Sequence, residues 1–245
     1  MADPVTAAPE EAVALEAVPP PGALALLRRP GFRRVYLAVA GSELGDSFQY
    51  IALMWAALLA GGPLGVLAVR LADSVPALIF GFHGGLLADR TGRKRLMVTA
   101  DLVRAAALVP IAVAGLADDV PLWSLAVVAF VLSTCASYFE PAYGAVLPAL
   151  AGRESVQAAN ALVRASADAL WLGGSAIAAA LLAFVPLSAF FAINAGSFAL
   201  SALLLSGLRG FDRGANVSGE RPRIHEAFTI LRPHPWLVSA VVALG

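Results

Sequence analysis

Glu43 and Asp46 carry the most conspicuous chemistry in this 245-residue chain. They stand three residues apart in the stretch Gly41-Ser-Glu-Leu-Gly-Asp46, and apolar sequence flanks it on both sides. On a helix this spacing turns both side chains toward one neighbour. Two carboxylates in a low-dielectric setting resist ionising together, so one of them can hold an exchangeable proton. A proton-coupling or cation-binding site needs that property. The alternative is a packing or gating contact with another helix, through an arginine, although no basic residue lies near the pair in sequence. Three oppositely charged pairs also interrupt apolar stretches: Arg70/Asp73, Asp101/Arg104 and Arg164/Asp168. Each is three or four residues apart, so each can neutralise itself on one helix face. Asp73 is the third candidate for ion coupling.

The elements that hold these charges are apolar. Hydrophobic residues make up 59% of the chain and charged residues 14%, with a mean hydropathy of +0.78. A soluble domain carries about 45–50% apolar and about 25% charged residues, so the solvent of this chain is lipid. A bilayer-spanning helix needs about 20 mostly apolar residues. The pattern predicts an all-α membrane protein with six such helices, over residues 34–60, 64–88, 96–117, 121–147, 156–184 and 187–208. Helix-breaking residues separate them: Gly61-Gly62-Pro63, Asp118-Asp119, Pro148 with Gly152, and Pro186. Helix is preferred to a barrel, because barrel strands alternate over about ten residues, whereas these runs are continuously apolar.

Arginine placement sets the expected orientation. Of the 17 basic residues, only Arg70, Arg104 and Arg164 fall in the interior of the predicted helices. The others precede or open the first helix (Arg28, Arg29, Arg33, Arg34), follow the second (Arg90, Arg93, Lys94, Arg95), follow the fourth (Arg153) or follow the sixth. Both ends of the six-helix block are therefore expected in the cytoplasm. Residues 1–33, acidic and Pro-rich without a signal-peptide core, read as a disordered cytoplasmic tail. Residues 209–234 read as a cytoplasmic linker. The apolar residues 235–245 read as the start of a seventh, truncated helix or as an interfacial segment. On this layout Asp101, Arg104, Glu140, Arg164 and Asp168 lie toward cytoplasmic helix ends. There they either form an inner charge latch with Asp89 and Arg93 or simply reach interfacial water.

The most specific motif is Gly85-Leu-Leu-Ala-Asp89-Arg90-Thr-Gly92-Arg93-Lys94-Arg95, between the second and third helices. Gly85 permits close helix approach, Asp89 can accept hydrogen bonds from a neighbouring helix N-terminus, and Gly92 permits a tight turn. The basic run keeps the loop inside. This stretch resembles the signature loop of the major facilitator superfamily. Further stretches resemble its branch of enterobactin and macrolide exporters: Gly41 to Asp46, Ala100-Asp-Leu-Val-Arg104, Phe139-Glu-Pro-Ala-Tyr143, Ala158-Ala-Asn160-Ala-Leu162 and Asn194-Ala-Gly-Ser-Phe198. The likeness covers residues 30–245 and implies the N-terminal half of a fold in which two six-helix bundles enclose a central cavity.

The implied function is secondary transport of a small amphipathic solute, an exporter of drug-like or siderophore-like compounds driven by a proton gradient. A non-transporting scaffold or degenerate half-transporter is the alternative. The implied partners are membrane lipid, a small-molecule substrate and a C-terminal six-helix half or a second copy. The expected location is the cell membrane. No cofactor is implied. The fifth predicted helix reads Gly173-Gly174-Ser175-Ala176 where many proton-coupled exporters carry a Gly-Pro pair, and the fourth lacks an arginine that some relatives have. A net charge of +0 argues against nucleic acid as a partner. The single cysteine, Cys135, excludes an internal disulfide and a cysteine zinc site. His83, His225 and His234 lack metal-ligand spacing, and no nucleophile–base motif supports an enzyme.

Overall fold

The computed structural model describes residues 22–117 and 120–211, apart from the side chains of residues 82–83, 85–86, 88–90 and 117. Its regular elements are helical. They are α1 (Pro30–Arg90), α2 (Arg93–Ala114), α3 (Leu122–Ala151), α4 (Val156–Leu181) and α5 (Leu187–Ser206), with 3-10 turns at Ala23–Arg28, Gly115–Ala117 and Arg153–Ser155. Among the described residues, four helical stretches are long and apolar enough to cross a membrane: Pro30–Gly81, Arg93–Ala114, Leu122–Ala151 and Leu187–Ser206. α4 carries Arg164 and Asp168 and is not among them.

α1 is bent rather than straight. Gly62 has φ 61° and ψ −154°, a backbone conformation suited to glycine. Pro63, next in the chain, has no N–H for the preceding turn. A straight helix would hold Tyr50 and Arg70 about 30 Å apart. Instead the Arg70 guanidinium lies 5.7 Å from the centre of the Tyr50 ring. The arms 30–61 and 63–90 therefore fold back on one another, with the turn at the predicted Gly-Gly-Pro break.

Apolar side chains gain little by meeting each other in lipid, so close packing at small residues holds such helices together. α1 packs on α3, α5 and α4, and α2 packs on α5 and α3. Gly84 marks a tight crossing, since a Cβ there would overlap the backbone carbonyl of Ser137 in α3. Two large apolar clusters fill the interior. One holds Ala57, Val69, Leu125, Phe190 and Phe198. The other holds Val35, Met97, Phe139, Val146 and Leu205.

Arginines fasten one end of the bundle. Arg29 Nη1 donates to the Ala151 carbonyl at 2.5 Å, at the end of α3. Arg34 donates to the Gly207 carbonyl, just past α5, and the Lys94 N–H donates to the Phe211 carbonyl at 3.2 Å. Cations here meet the negative ends of helix dipoles. The start of α1, the start of α2 and the ends of α3 and α5 thus share one end of the molecule.

The expected tail at residues 1–33 needs correction at its end. Residues 23–28 form a helical turn and α1 begins at Pro30. Leu26 and Phe32 are fully buried against Leu147, Ala151 and Ala159, and this anchoring orders the segment. The predicted ends of the helices shift by a few residues. α3 continues through Pro148 to Ala151, and α4 stops at Leu181 rather than at 184. The expected linker (209–234) lies almost wholly outside the described residues, and the seventh-helix start (235–245) lies wholly outside them.

Candidate functional site

A buried charge cluster joins α1, α2, α3 and α5, and Arg104 is at its centre. Its Nη1 lies 3.5 Å from Asp101 Oδ1, with side-chain exposures of 7% and 0%. The i,i+3 spacing on α2 creates this pair. The guanidinium sits between two rings, 5.2 Å from the centre of Phe139 in α3 and 5.1 Å from that of Phe198 in α5. Ring faces attract a cation, and more so away from water. Asp101 Oδ2 also accepts a 2.6 Å hydrogen bond from Ser201 Oγ in α5.

Asp46 completes the cluster from α1. Its Oδ1 accepts a hydrogen bond from Asn194 Nδ2 at 2.9 Å. The same amide donates to Gln49 Oε1 at 2.6 Å, and Asn194 Oδ1 is hydrogen-bonded to Ser197 Oγ at 2.8 Å. Gly45 makes this approach possible, because a Cβ there would overlap Asn194 Oδ1 and Ser197 Oγ. Arg104 and Glu140 lie within electrostatic reach of Asp46. Glu43, half-buried one turn earlier, is in reach of Asp46, Glu140, Arg164 and Arg104. The pair that looked unpartnered in sequence therefore faces a cation from α2.

The cluster borders a cavity of about 370 Å³ lined by Asp46, Gln49, Tyr50, Arg70, Asp73, Arg104, Trp171 and Phe198. Both arms of α1 thus contribute acids to one space, with aromatic walls beside them. Arg70 Nη1 pairs with Asp73 Oδ2 at 3.1 Å, about half exposed. On α4, Arg164 Nε pairs with Asp168 Oδ1 at 3.2 Å with exposures of 82% and 63%. Glu140 is exposed on α3.

The five residues of the expected latch therefore divide. Asp101 and Arg104 are buried beside Asp46, whereas Glu140, Arg164 and Asp168 are open. Asp101 and Arg104 also lie midway along α2, and Arg164 and Asp168 well inside α4, rather than in terminal turns. In the signature loop α1 ends at Arg90, Thr91 and Gly92 make the turn, and Arg93, Lys94 and Arg95 open α2. The side chains of Gly85, Asp89 and Arg90 lie outside the described ones. Sequence reasoning assigned no role to Asn194, Gln49, Ser201, Phe139 or Phe198. Asn194, Phe139 and Phe198 did stand in the stretches that carry the family resemblance, and a lone amide in the apolar run of α5 was the available signal. Four of those stretches, around Asp46, Arg104, Phe139 and Asn194, meet at this cluster. Cys135 is a buried free thiol. Among the described residues no group of acids, histidines and cysteines is placed to hold a metal ion.

A family model described as a transmembrane secretion effector matches residues 21–228. An uncharacterized MFS-type transporter, YfiS of Bacillus subtilis, is 29% identical over 209 residues, 82% of this chain and 49% of the relative. Macrolide efflux protein A of Enterococcus faecalis is 26% identical over 181 residues, 72% of this chain and 56% of the relative. The multidrug efflux pump Tap of Mycolicibacterium fortuitum is 27% identical over 188 residues, covering 74% and 46%. The chain spans about half the length of these curated relatives. No solved structure matches it.

Proposed function

We propose, on the premise that this chain belongs to the transmembrane secretion effector family of major facilitator transporters, that it forms the N-terminal bundle of an ion-gradient-driven exporter. That family is one of membrane transporters and not of enzymes. The solute is a small amphipathic compound, and a macrolide, the solute in the name of the Enterococcus relative, is the first to test. Glu43 and Asp46 include the coupling site, and the coupling ion is a proton. One observation carries the reading: the buried Asp101–Arg104 pair lies mid-helix, with Asp46 beside it on the wall of a cavity. Charge at such depth costs several kcal/mol in lipid and is characteristic of ion pathways.

The bundle crosses the membrane six times in this reading, with both ends cytoplasmic. The fold-back of α1 at Gly62 supports an extra crossing. The shared end of the α1 start and the α3 and α5 ends supports an even number. The exposed pairs Arg70–Asp73 and Arg164–Asp168 are incompatible with lipid contact. They mark the wall of a water-filled cavity that a second six-helix unit, or a second copy, closes. The signature loop from Gly85 to Arg95 gates that cavity from the cytoplasmic side.

Orientation is testable with single cysteines in a Cys135→Ser background. A probe at Asp118 should label from outside and one at Ser218 should not; the reverse pattern refutes the topology. Transport is testable in proteoliposomes that hold this bundle with its second unit. An imposed proton gradient should move a macrolide without ATP, and a protonophore should stop it. Movement that requires ATP and survives the protonophore refutes the reading.

A further inference from the structure

We propose that Arg104 is a movable counterion shared by Asp101 and Asp46, which ties the proton occupancy of Asp46 to the contact between α2 and α5. The inference rests on the coupling role proposed for the Glu43/Asp46 pair and assigns its proton to Asp46.

The geometry is one cation facing two acids. Arg104 forms its ion pair with Asp101 at a long 3.5 Å, and Asp46 lies within its reach without an ion pair of its own among the described residues. Asp46 has a neutral amide, Asn194, as its hydrogen-bond donor. That is the arrangement suited to a protonated Asp46, since a buried carboxylate left without a cation is strongly disfavoured. The rings of Phe139 and Phe198 hold the guanidinium by its faces and leave its edge donors to exchange partners. The other charges around Asp46 do not supply a cation of their own. Glu43 on its own helix and Glu140 on α3 are acids, Arg70 on the second arm is paired with Asp73, and Arg164 on α4 is paired with Asp168.

When Asp46 loses its proton to water in the cavity it lines, the O–H bond breaks and a carboxylate remains. Arg104 then turns toward it. Asp101 keeps its hydrogen bond from Ser201 but loses most of its cation, so the α2–α5 contact loosens as α1 gains a charge. Protonation reverses each step.

The test is infrared spectroscopy of the chain in lipid nanodiscs at neutral pH, reading the protonated-carboxyl band. Wild type minus Asp46→Asn should isolate a band from Asp46. Asp101→Asn should abolish that band, because Arg104 is released to ionise Asp46. Adding Arg104→Gln to Asp101→Asn should restore it. Both variants leave the buried charge balanced and should stay folded, as checked by circular dichroism. Persistence of the band in Asp101→Asn, or failure of the double variant to restore it, overturns the proposal, as does absence of the band from wild type. If the band behaves as expected but gradient-driven transport survives loss of both Glu43 and Asp46, the coupling reading fails and the shared counterion stands.

Discussion

Two ion pairs divide the molecule. Asp101 and Arg104 sit one turn apart on α2, with exposures of 0% and 7%, locked between aromatic rings and hydrogen-bonded to α5. Arg164 and Asp168 sit one turn apart on α4, with exposures of 82% and 63%, paired with each other. The pairs share residue types and near-equal spacing. Both lie within reach of other acids, Asp46 for the first pair and Glu43 and Glu140 for the second, but only the first pair is buried. The difference shows how one local motif serves two ends: the inner pair organises the packing of four helices, and the outer pair stands on the exposed face of α4.

The largest effect should come from breaking the inner pair. Arg104→Ala strands Asp101 and is expected to lower stability by about 3–5 kcal/mol, the usual consequence of leaving a buried charge alone. Arg164→Ala should change it by about 1 kcal/mol or less. Denaturant unfolding in detergent compares the two, and equal losses would erase the distinction. A smaller effect is expected at the crossing of α1 and α5. Gly45→Ala places a methyl group against Asn194 and Ser197 and should cost about 1–3 kcal/mol. Gly173→Ala, on open α4 surface, should be close to neutral. A loss smaller than at Gly45 is expected at the fastened end. Arg34→Gln loses the hydrogen bond to the Gly207 carbonyl and should cost about 0.5–1.5 kcal/mol, read in the same assay.

The helices were legible because lipid demands long apolar runs, and such runs end where Gly, Pro and paired acids appear. The bend at Gly62 was visible in Gly61-Gly62-Pro63 for the same reason. The order of residues 23–33 was hidden by the acidic, Pro-rich stretch before them, and it depends on Leu26 and Phe32 finding a surface made by α3 and α4. At the site, the local pairs could be read from i,i+3 and i,i+4 spacing. The burial of one pair and exposure of the other could not, because spacing fixes which residues share a helix face but not what that face meets. The Asp46–Asn194 bond joins residues 148 positions apart in the sequence, on α1 and α5. Only the packing of α5 on α1 brings them together, so no local pattern announces it.

The central claim is that Glu43 and Asp46 include the coupling site. Its most direct test is solute movement by the transporter that contains this bundle, comparing Glu43→Gln and Asp46→Asn with wild type in the same proteoliposomes. The account predicts that at least one substitution abolishes gradient-driven accumulation while downhill exchange continues, since the cavity remains and only the ion's energy is disconnected. Accumulation preserved in both variants, with unchanged pH dependence, would contradict it, and the exposed Asp73 would become the residue to examine next.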